Sequence, residues 1–169
     1  MRCLVAFDAH PGNFLIEPEG RAVLVDLEKA RYGHPGCDLA HATLYTSTTW
    51  PVTGGVALEG AAVLQAYAAW ARRLGPAAAR VWWPTLSLAR LGMALWAFTW
   101  CAKWRVLSAA PAAGSGTGED WSAERSEPEL IRHVRGRVDH YLEPGVVADV
   151  LDGCEALARA LALQGPPDA

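Results

Sequence analysis

The feature that most constrains the fold of this chain is a change of pattern near residue 36. Before it, two short β-prone runs, Phe14–Ile16 and Arg21–Val25, flank the turn-forming residues 17–20 and predict a β-hairpin. After it, apolar residues recur every three or four positions, which is typical of amphipathic helices. The sequence therefore predicts an α+β chain that is predominantly α-helical, with one short hairpin near the N-terminus.

The helical part divides into several segments separated by breaks in the pattern. The whole chain has 169 residues, of which 51% are hydrophobic, and this is enough for one buried core, so we expect a single domain over 1–169. Within this domain we predict a loop and hairpin region over residues 1–34 and helices over residues 35–107. A flexible loop is predicted over residues 108–127, and C-terminal helices over residues 128–163. Individual helices are expected near residues 37–46, 57–74, 77–82, 85–107, 128–142 and 145–163.

The apolar stretch from Val81 to Trp104 needs a separate interpretation. Charged residues interrupt it, and about 12 uncharged positions between Arg90 and Lys103 are fewer than the ~20 that a bilayer-spanning helix needs. We therefore predict a buried helix and no membrane partner. Trp96 and its neighbours at positions 100 and 104 form a stripe along that helix, which is typical of a core.

Charge and cysteine usage argue against a nucleic-acid-binding protein and against a disulfide-bonded secreted protein. The formal net charge is -3 and the basic residues are scattered, so no surface for nucleic acid is indicated. The four cysteines lie far apart, without a C-x-x-C pair, and no signal-peptide pattern opens the chain. We expect a cytoplasmic protein with reduced thiols.

The polar residues with the most defined spacing surround the predicted hairpin. If the turn centres between Glu19 and Gly20, Leu15 pairs with Leu24 and Asn13 pairs with Asp26. Directly opposed side chains lie ~4.5–5.5 Å apart at Cβ, and Mg²⁺ prefers oxygen ligands, so both could bind one cation. Asp8 precedes Asn13 by five residues across a Pro-Gly bend and can face the same site. A carboxylate there can accept the proton of an attacking hydroxyl.

Two other interpretations of these polar residues stay open at this point. Asp8, Asn13 and Asp26 could each simply cap a turn, as Asp and Asn often do. His34, Cys37 and His41 have the spacing H-x2-C-x3-H, which could form part of a zinc site in a zinc-stabilised helical module, although a fourth ligand is missing from the motif.

The combined pattern resembles a known family of enzymes. The run Asp8–Leu15 (DAHPGNFL), followed by Val23–Glu28 (VLVDLE) and Gly36–Ala40 (GCDLA), is similar to the catalytic core of the aminoglycoside phosphotransferase and choline kinase-like family. The resemblance implies the C-terminal lobe of a protein-kinase-like fold. It also implies an ATP-dependent, Mg²⁺-dependent kinase that phosphorylates a hydroxyl of a small molecule.

The resemblance assigns roles residue by residue. Asp8 takes the position of the catalytic base, and Asn13 and Asp26 take those of the Mg²⁺ ligands that also bind the cofactor. Three further residues take supporting roles. His10 corresponds to a loop histidine, Glu28 to an acidic residue after the metal aspartate, and Asp38 to an aspartate that binds the backbone of the catalytic loop.

The chain also departs from the family pattern. Ala6-Phe7-Asp8 stands where the family usually has His-Gly-Asp, so the hydrogen bond of that histidine is lost. The catalytic loop lies at residue 8, where the family would have an N-terminal nucleotide lobe before it. We therefore expect a truncated copy that lacks this lobe and is inactive alone. The alternative is a non-catalytic kinase remnant that serves as a binding or oligomerisation module, with a possible homo-oligomer formed through the face that the lobe would cover.

The acceptor is the least constrained part of the prediction. Members of the family phosphorylate aminoglycosides, choline, amino acids and sugars. A cluster of acidic residues near the predicted flexible loop could attract a cationic acceptor, or could be an ordinary solvated loop; it comprises Glu119, Asp120, Glu124, Glu127 and Glu129.

Overall fold

Four short strands form two separate antiparallel pairs in the first 33 residues. The structure is a computed structural model that describes residues 3–112 and 122–167. Strand β1 (Cys3–Val5) pairs with β4 (Arg31–Gly33), and β2 (Phe14–Ile16) pairs with β3 (Ala22–Leu24). The predicted hairpin is therefore present as β2–β3, and it lies within the connection between two strands that sequence patterns did not predict.

The register of the hairpin differs by one residue from the predicted register. Phe14 lies opposite Leu24, so the predicted pairing of Leu15 with Leu24 is wrong. The cause is the turn: Glu17 N donates to Arg21 O at 2.9 Å, which leaves a loop of three residues ending in Gly20 at φ +81°. A three-residue hairpin loop with a left-handed glycine is a common type, and its geometry sets the register.

The change of register also separates Asn13 from direct opposition to Asp26. Val25 N donates to Asn13 O at 2.9 Å, so Val25 is the backbone partner of Asn13. Asp26 is the next residue, and it has a left-handed backbone with φ +58°. The predicted pairing of Asn13 with Asp26 is therefore wrong, although the two residues remain close along the hairpin.

Helices occupy most of the remaining described residues, close to the predicted positions. The two helices that follow β4 are short, α1 (Gly36–Thr43) and α2 (Tyr45–Thr48). The later helices are α3 (Gly60–Leu74), α4 (Pro76–Trp82), α5 (Leu86–Leu107), α6 (Pro128–Tyr141) and α7 (Pro144–Gln164). The mostly helical α+β prediction is confirmed at this level.

The main hydrophobic core joins α3, α4, the start of α5 and the end of α7. Tyr67 and Leu86 are fully buried in it, and Leu157 and Leu161 of α7 pack in the same cluster. Trp83 belongs to this core and donates its indole N–H to Leu161 O at 3.0 Å. The indole therefore buries a large apolar surface while its one polar group is satisfied.

Helix α5 is buried along one face only, whereas the sequence predicted a buried helix. One face is buried, including Leu86, Met93 and Cys101, whereas Leu88 and Leu95 are 69% and 52% exposed. The tryptophan stripe predicted as core is only half-buried. In the described part of the chain, no helix is long and apolar enough to cross a membrane.

The chain contains two compact units. One comprises residues 1–94 and 150–169 and contains the strands and the core just described; the other comprises residues 95–149. In the second unit α6 buries Val138 and Tyr141, and Arg105 Nε lies 3.2 Å from Asp139 Oδ1. The division into two compact units does not decide whether they fold independently, so a single domain over residues 1–169 stays a prediction.

The predicted flexible loop over 108–127 is described only in part. Residues 113–121 lie outside the described residues, and they include Glu119 and Asp120 of the acidic cluster. The other three acidic residues, Glu124, Glu127 and Glu129, are exposed.

Candidate active site

The loop after β1 is fixed to α1 by a carboxylate. Asp38, in the first turn of α1, accepts hydrogen bonds from Ala6 N at Oδ2 and from Phe7 N at Oδ1, both at 2.8 Å. Bonds from backbone N–H groups to a carboxylate are charge-assisted and stronger than neutral ones. This is the contact that the family resemblance implies for Asp38, and its catalytic importance stays a prediction.

Phe7 has an unusual backbone at the point where the loop turns toward Asp8. Its φ is +62°, a region that glycine adopts easily and a bulky residue rarely does. The guanidinium carbon of Arg31 lies 4.0 Å from the centroid of the Phe7 ring. A cation over an aromatic face is attractive, so Arg31 of β4 helps to hold the residue that precedes Asp8.

Asp8 is buried, and its backbone carbonyl is held by hydrogen bonds from residues that follow it in the sequence. Its carbonyl oxygen accepts from His10 N and from Asn13 Nδ2, both at 2.9 Å. Only 9% of the residue is exposed. Its carboxylate Oδ2 lies 2.6 Å from Nζ of Lys29, and this ion pair was not predicted from the sequence.

His10 organises the short turn between Asp8 and Asn13. Its ring Nδ1 accepts a hydrogen bond from Gly12 N at 3.1 Å and so caps the 3₁₀ turn Pro11–Asn13. A Cβ on Gly12 would lie 2.9 Å from His10 Cε1, so a side chain at position 12 would require the His10 ring to move. The ring therefore has a structural task in this turn, as the resemblance implies.

Asn13 and Asp26 carry oxygen atoms of the kind that Mg²⁺ prefers. The amide nitrogen of buried Asn13 donates a hydrogen bond to Asp8 O, so the amide oxygen is the atom of this side chain that can bind a cation. Asp26 is exposed and adds carboxylate oxygens. Mg²⁺ is usually held by one or two such protein oxygens together with water and substrate phosphates. Within residues 3–112 and 122–167 no three His, Cys, Asp or Glu side chains form a cluster that could enclose a metal, and a two-ligand site does not require one.

His41 lies close to this loop, although the sequence suggested a different role for it. Its ring makes an edge-to-face contact with His10, with centroids 6.3 Å apart. Burial lowers the pKa of His41 to about 4, opposed by the nearby carboxylates of Asp8 and Asp38. The imidazole is therefore neutral at physiological pH and acts as a packing element of α1 beneath the loop.

The zinc interpretation fails because the three residues do not form a ligand set. His34 Nε2 is bonded to Thr85 Oγ1 at 2.8 Å, and His34 Nδ1 accepts from Gly36 N at 3.0 Å. Burial, with a smaller contribution from Asp38, raises the pKa of the Cys37 thiol, which disfavours the thiolate that zinc requires. Among the described side chains, no three His, Cys, Asp or Glu residues form a cluster that could hold a metal ion, so the structure does not assemble a zinc ligand set from His34, Cys37 and His41.

The remaining predicted residue, Glu28, is exposed, and its role stays a prediction. Sequence reasoning missed three side chains that contact or approach the loop: Lys29, Arg31 and His41. The first two depend on the β1–β4 pairing, which joins strands of only three residues each. A possible signal was the short apolar run Cys3–Val5, which directly precedes the predicted catalytic loop.

Comparison with known proteins agrees with the resemblance. The sequence model of the phosphotransferase enzyme family matches residues 2–83, just under half of the chain. The matched range contains every site residue described above. No curated protein and no solved structure matches the chain.

Proposed function

We propose that the chain takes part in transferring the γ-phosphoryl group of ATP to a hydroxyl of a small molecule with Mg²⁺. The proposal rests on the match of residues 2–83 to the phosphotransferase enzyme family. We further propose that its strands and helices correspond to the C-terminal lobe of a protein-kinase-like fold. The observation that carries the proposal is the clamped loop: Asp38 binds two backbone N–H groups before Asp8, and Asn13 binds the Asp8 carbonyl.

In the proposed reaction Asp8 is the general base. Lys29 binds Oδ2, so we assign Oδ1 as the atom that accepts the hydroxyl proton. As the acceptor oxygen forms its bond to the γ-phosphorus, the bond from that phosphorus to the ADP oxygen breaks, and the proton passes to Asp8. Fixing the carboxylate before the substrate arrives matters because phosphoryl transfer depends mainly on positioning and charge stabilisation.

Asn13 and Asp26 are the residues that we propose as metal ligands. Bound Mg²⁺ would neutralise charge on the phosphate oxygens of the nucleotide. The Asn13 amide is oriented by its bond to Asp8 O, so the base and one ligand are held by the same turn. This link supports a shared role for the two residues, since moving one would displace the other.

Metal-dependent nucleotide binding tests the ligand assignment. Asp26→Ala should weaken ATP binding in the presence of Mg²⁺ by at least about tenfold, because a charged oxygen ligand is removed. Isothermal titration calorimetry on the full chain, with and without Mg²⁺, measures this. The matched control is Asp152→Ala, which removes an exposed aspartate of α7. Equal affinities for both variants would refute the metal site.

The role of Asp8 as base has its own test. Labelled phosphate transfer from ATP is followed under single-turnover conditions with the chain in excess and a panel of aminoglycoside, choline, amino-acid and sugar acceptors. Asp8→Asn should lower any transfer that the full chain supports roughly 10²–10⁴-fold, the usual contribution of a general base. Transfer at an unchanged rate in Asp8→Asn would exclude Asp8 as the base.

A second candidate function, a non-catalytic binding or oligomerisation module, is favoured by one observation. Leu4 and Tyr32 are cross-strand partners of β1 and β4, and they are 67% and 74% exposed. A contiguous exposed apolar patch can mark a contact surface, and these two side chains would form the centre of such a patch. Light scattering compares the chain with the double variant Leu4→Ser, Tyr32→Ser: self-association that disappears in the variant supports the module, and a monomer in both cases opposes it.

A further inference from the structure

Lys29 is brought to the candidate site by the pairing of β1 with β4. Val5 lies opposite Arg31 in this antiparallel pair. Lys29 lies in the turn that precedes β4, two residues before Arg31. The β1–β4 pair therefore brings this turn close to the loop that follows β1.

Two further contacts fix the backbone at Lys29. The turn that contains it closes with a hydrogen bond from Ala30 N to Leu27 O at 3.0 Å. Arg31, which stacks on Phe7, donates from Nε to Lys29 O at 3.1 Å. One side chain thus links the turn of Lys29 to the loop of Asp8.

The ammonium group of Lys29 lies where the proposed reaction places negative charge. Its Nζ is 2.6 Å from Asp8 Oδ2, and the lysine side chain remains 38% exposed while that of Asp8 is 12% exposed. An ammonium has three N–H donors, so the bond to Asp8 leaves donors for a second anion. A phosphoryl group approaching a bare carboxylate is repelled, and a cation between them removes that repulsion.

We propose that Lys29 binds the phosphoryl group at Asp8 and holds it beside the base. This inference rests on the proposed function, because it takes Asp8 as the point where the phosphoryl group is transferred. The alternative is an ion pair that only stabilises the turn, as partly exposed pairs often do to a small degree. The two differ in whether Lys29 contacts an added phosphate.

The sequence offers a direct spectroscopic test, because Lys29 and Lys103 are its only lysines. Lysine isotope-labelled at Cε gives two side-chain signals in the full chain, and Lys103→Arg identifies them. Inorganic triphosphate is the probe, with sulfate at equal ionic strength as the control anion. Lys29 should shift in a saturable way with triphosphate and not with sulfate, whereas exposed Lys103 should not shift with either. A Lys29 signal that triphosphate does not move overturns the proposal.

The variant Asp8→Asn separates phosphate binding from pairing with Asp8. With the carboxylate neutralised, Lys29 should still respond to triphosphate, and at a lower concentration because repulsion is reduced. Loss of the response in this variant would mean that the lysine acts only through Asp8, which contradicts the proposal. In addition, Lys29→Met should weaken triphosphate binding about tenfold and Lys103→Met should leave it unchanged; equal binding by the two variants would contradict direct contact.

These measurements need no metal, adenosine or acceptor. Absence of Mg²⁺-dependent ATP binding would refute the proposed function and leave the Lys29 response intact. A silent Lys29 alongside Mg²⁺-dependent ATP binding would refute only this inference.

Discussion

Phe7 and Asp26 carry the two left-handed non-glycine backbones among the described residues, and both belong to the candidate site. Such conformations cost of order 1–3 kcal/mol each and persist only where the surroundings enforce them. At Phe7 the enforcing contacts are visible: Asp38 accepts its N–H, and Arg31 covers its ring. The loop is therefore held by several side chains in place of the flexible glycine that the family usually has there.

His41 gives the candidate site a pH-dependent stability. Its pKa is about 4 in the folded chain against an ordinary value of 6.5, so the unfolded chain takes up the proton first as the pH falls. Stability should therefore decrease between about pH 6.5 and pH 4, with His41 contributing a loss of about 3 kcal/mol in total. Urea unfolding at several pH values measures this loss.

The control for that prediction is His41→Gln, which removes the titrating ring. The variant should lose much less stability than the wild type between the same pH values. Some dependence will remain, because burial also lowers the pKa of His34 and adds a loss in the same direction. A slope as steep as that of the wild type would show that His41 is not responsible.

The sequence predicted the residues of the site better than their contacts. Asp8, His10 and Asn13 make their contacts within one short turn, so local geometry brings these contacts about. Asp38 is 32 residues from Ala6, and its contact was predicted from the family resemblance. The contact of Lys29 with Asp8 joins residues 21 positions apart through a strand pair too short to leave a periodic pattern. Nonlocal pairing of this kind has no local signal, which is why the ion pair was missed.

At the scale of elements, the hairpin shows how one turn residue sets a register. Our prediction placed the turn centre between Glu19 and Gly20, and the structure centres it on Glu19. The residues Pro18-Glu19-Gly20 could have indicated this, because proline fits the start of such a loop and glycine its left-handed end. The helices were predicted more accurately, because in each of them apolar residues recur at helical spacing over many positions.

Gly20→Ala should destabilise the chain by about 1 kcal/mol. A Cβ at this position meets nothing within 4 Å, so the cost comes only from the φ of +81°. Gly153→Ala in α7 is the matched control with the opposite sign: its Cβ also meets nothing, and alanine should stabilise the helix by roughly 0.5–1 kcal/mol. Chemical denaturation compares the two, and a stabilising Gly20→Ala would contradict the observed loop.

At the scale of the whole molecule, the site residues lie in one of the two compact units. The unit of residues 1–94 and 150–169 contains the loop, both strand pairs and the main core. The family match ends at residue 83, within this unit. The family resemblance and the family-model match therefore rest on the same segment that builds the site, whereas residues 95–149 were predicted only as helix and loop.

The measurement that most directly tests the central assignment uses Asn13, the only asparagine in the sequence. Isotope-labelled asparagine gives a single side-chain amide signal, and Mn²⁺ replaces Mg²⁺ as a paramagnetic probe in the presence of ATP. We predict that Mn²⁺ with ATP broadens the Asn13 amide strongly in the full chain and much less in Asp26→Ala. An amide signal that stays sharp in the full chain at saturating Mn²⁺ and ATP would contradict the assignment of Asn13 and Asp26 as the metal ligands of a phosphotransferase site.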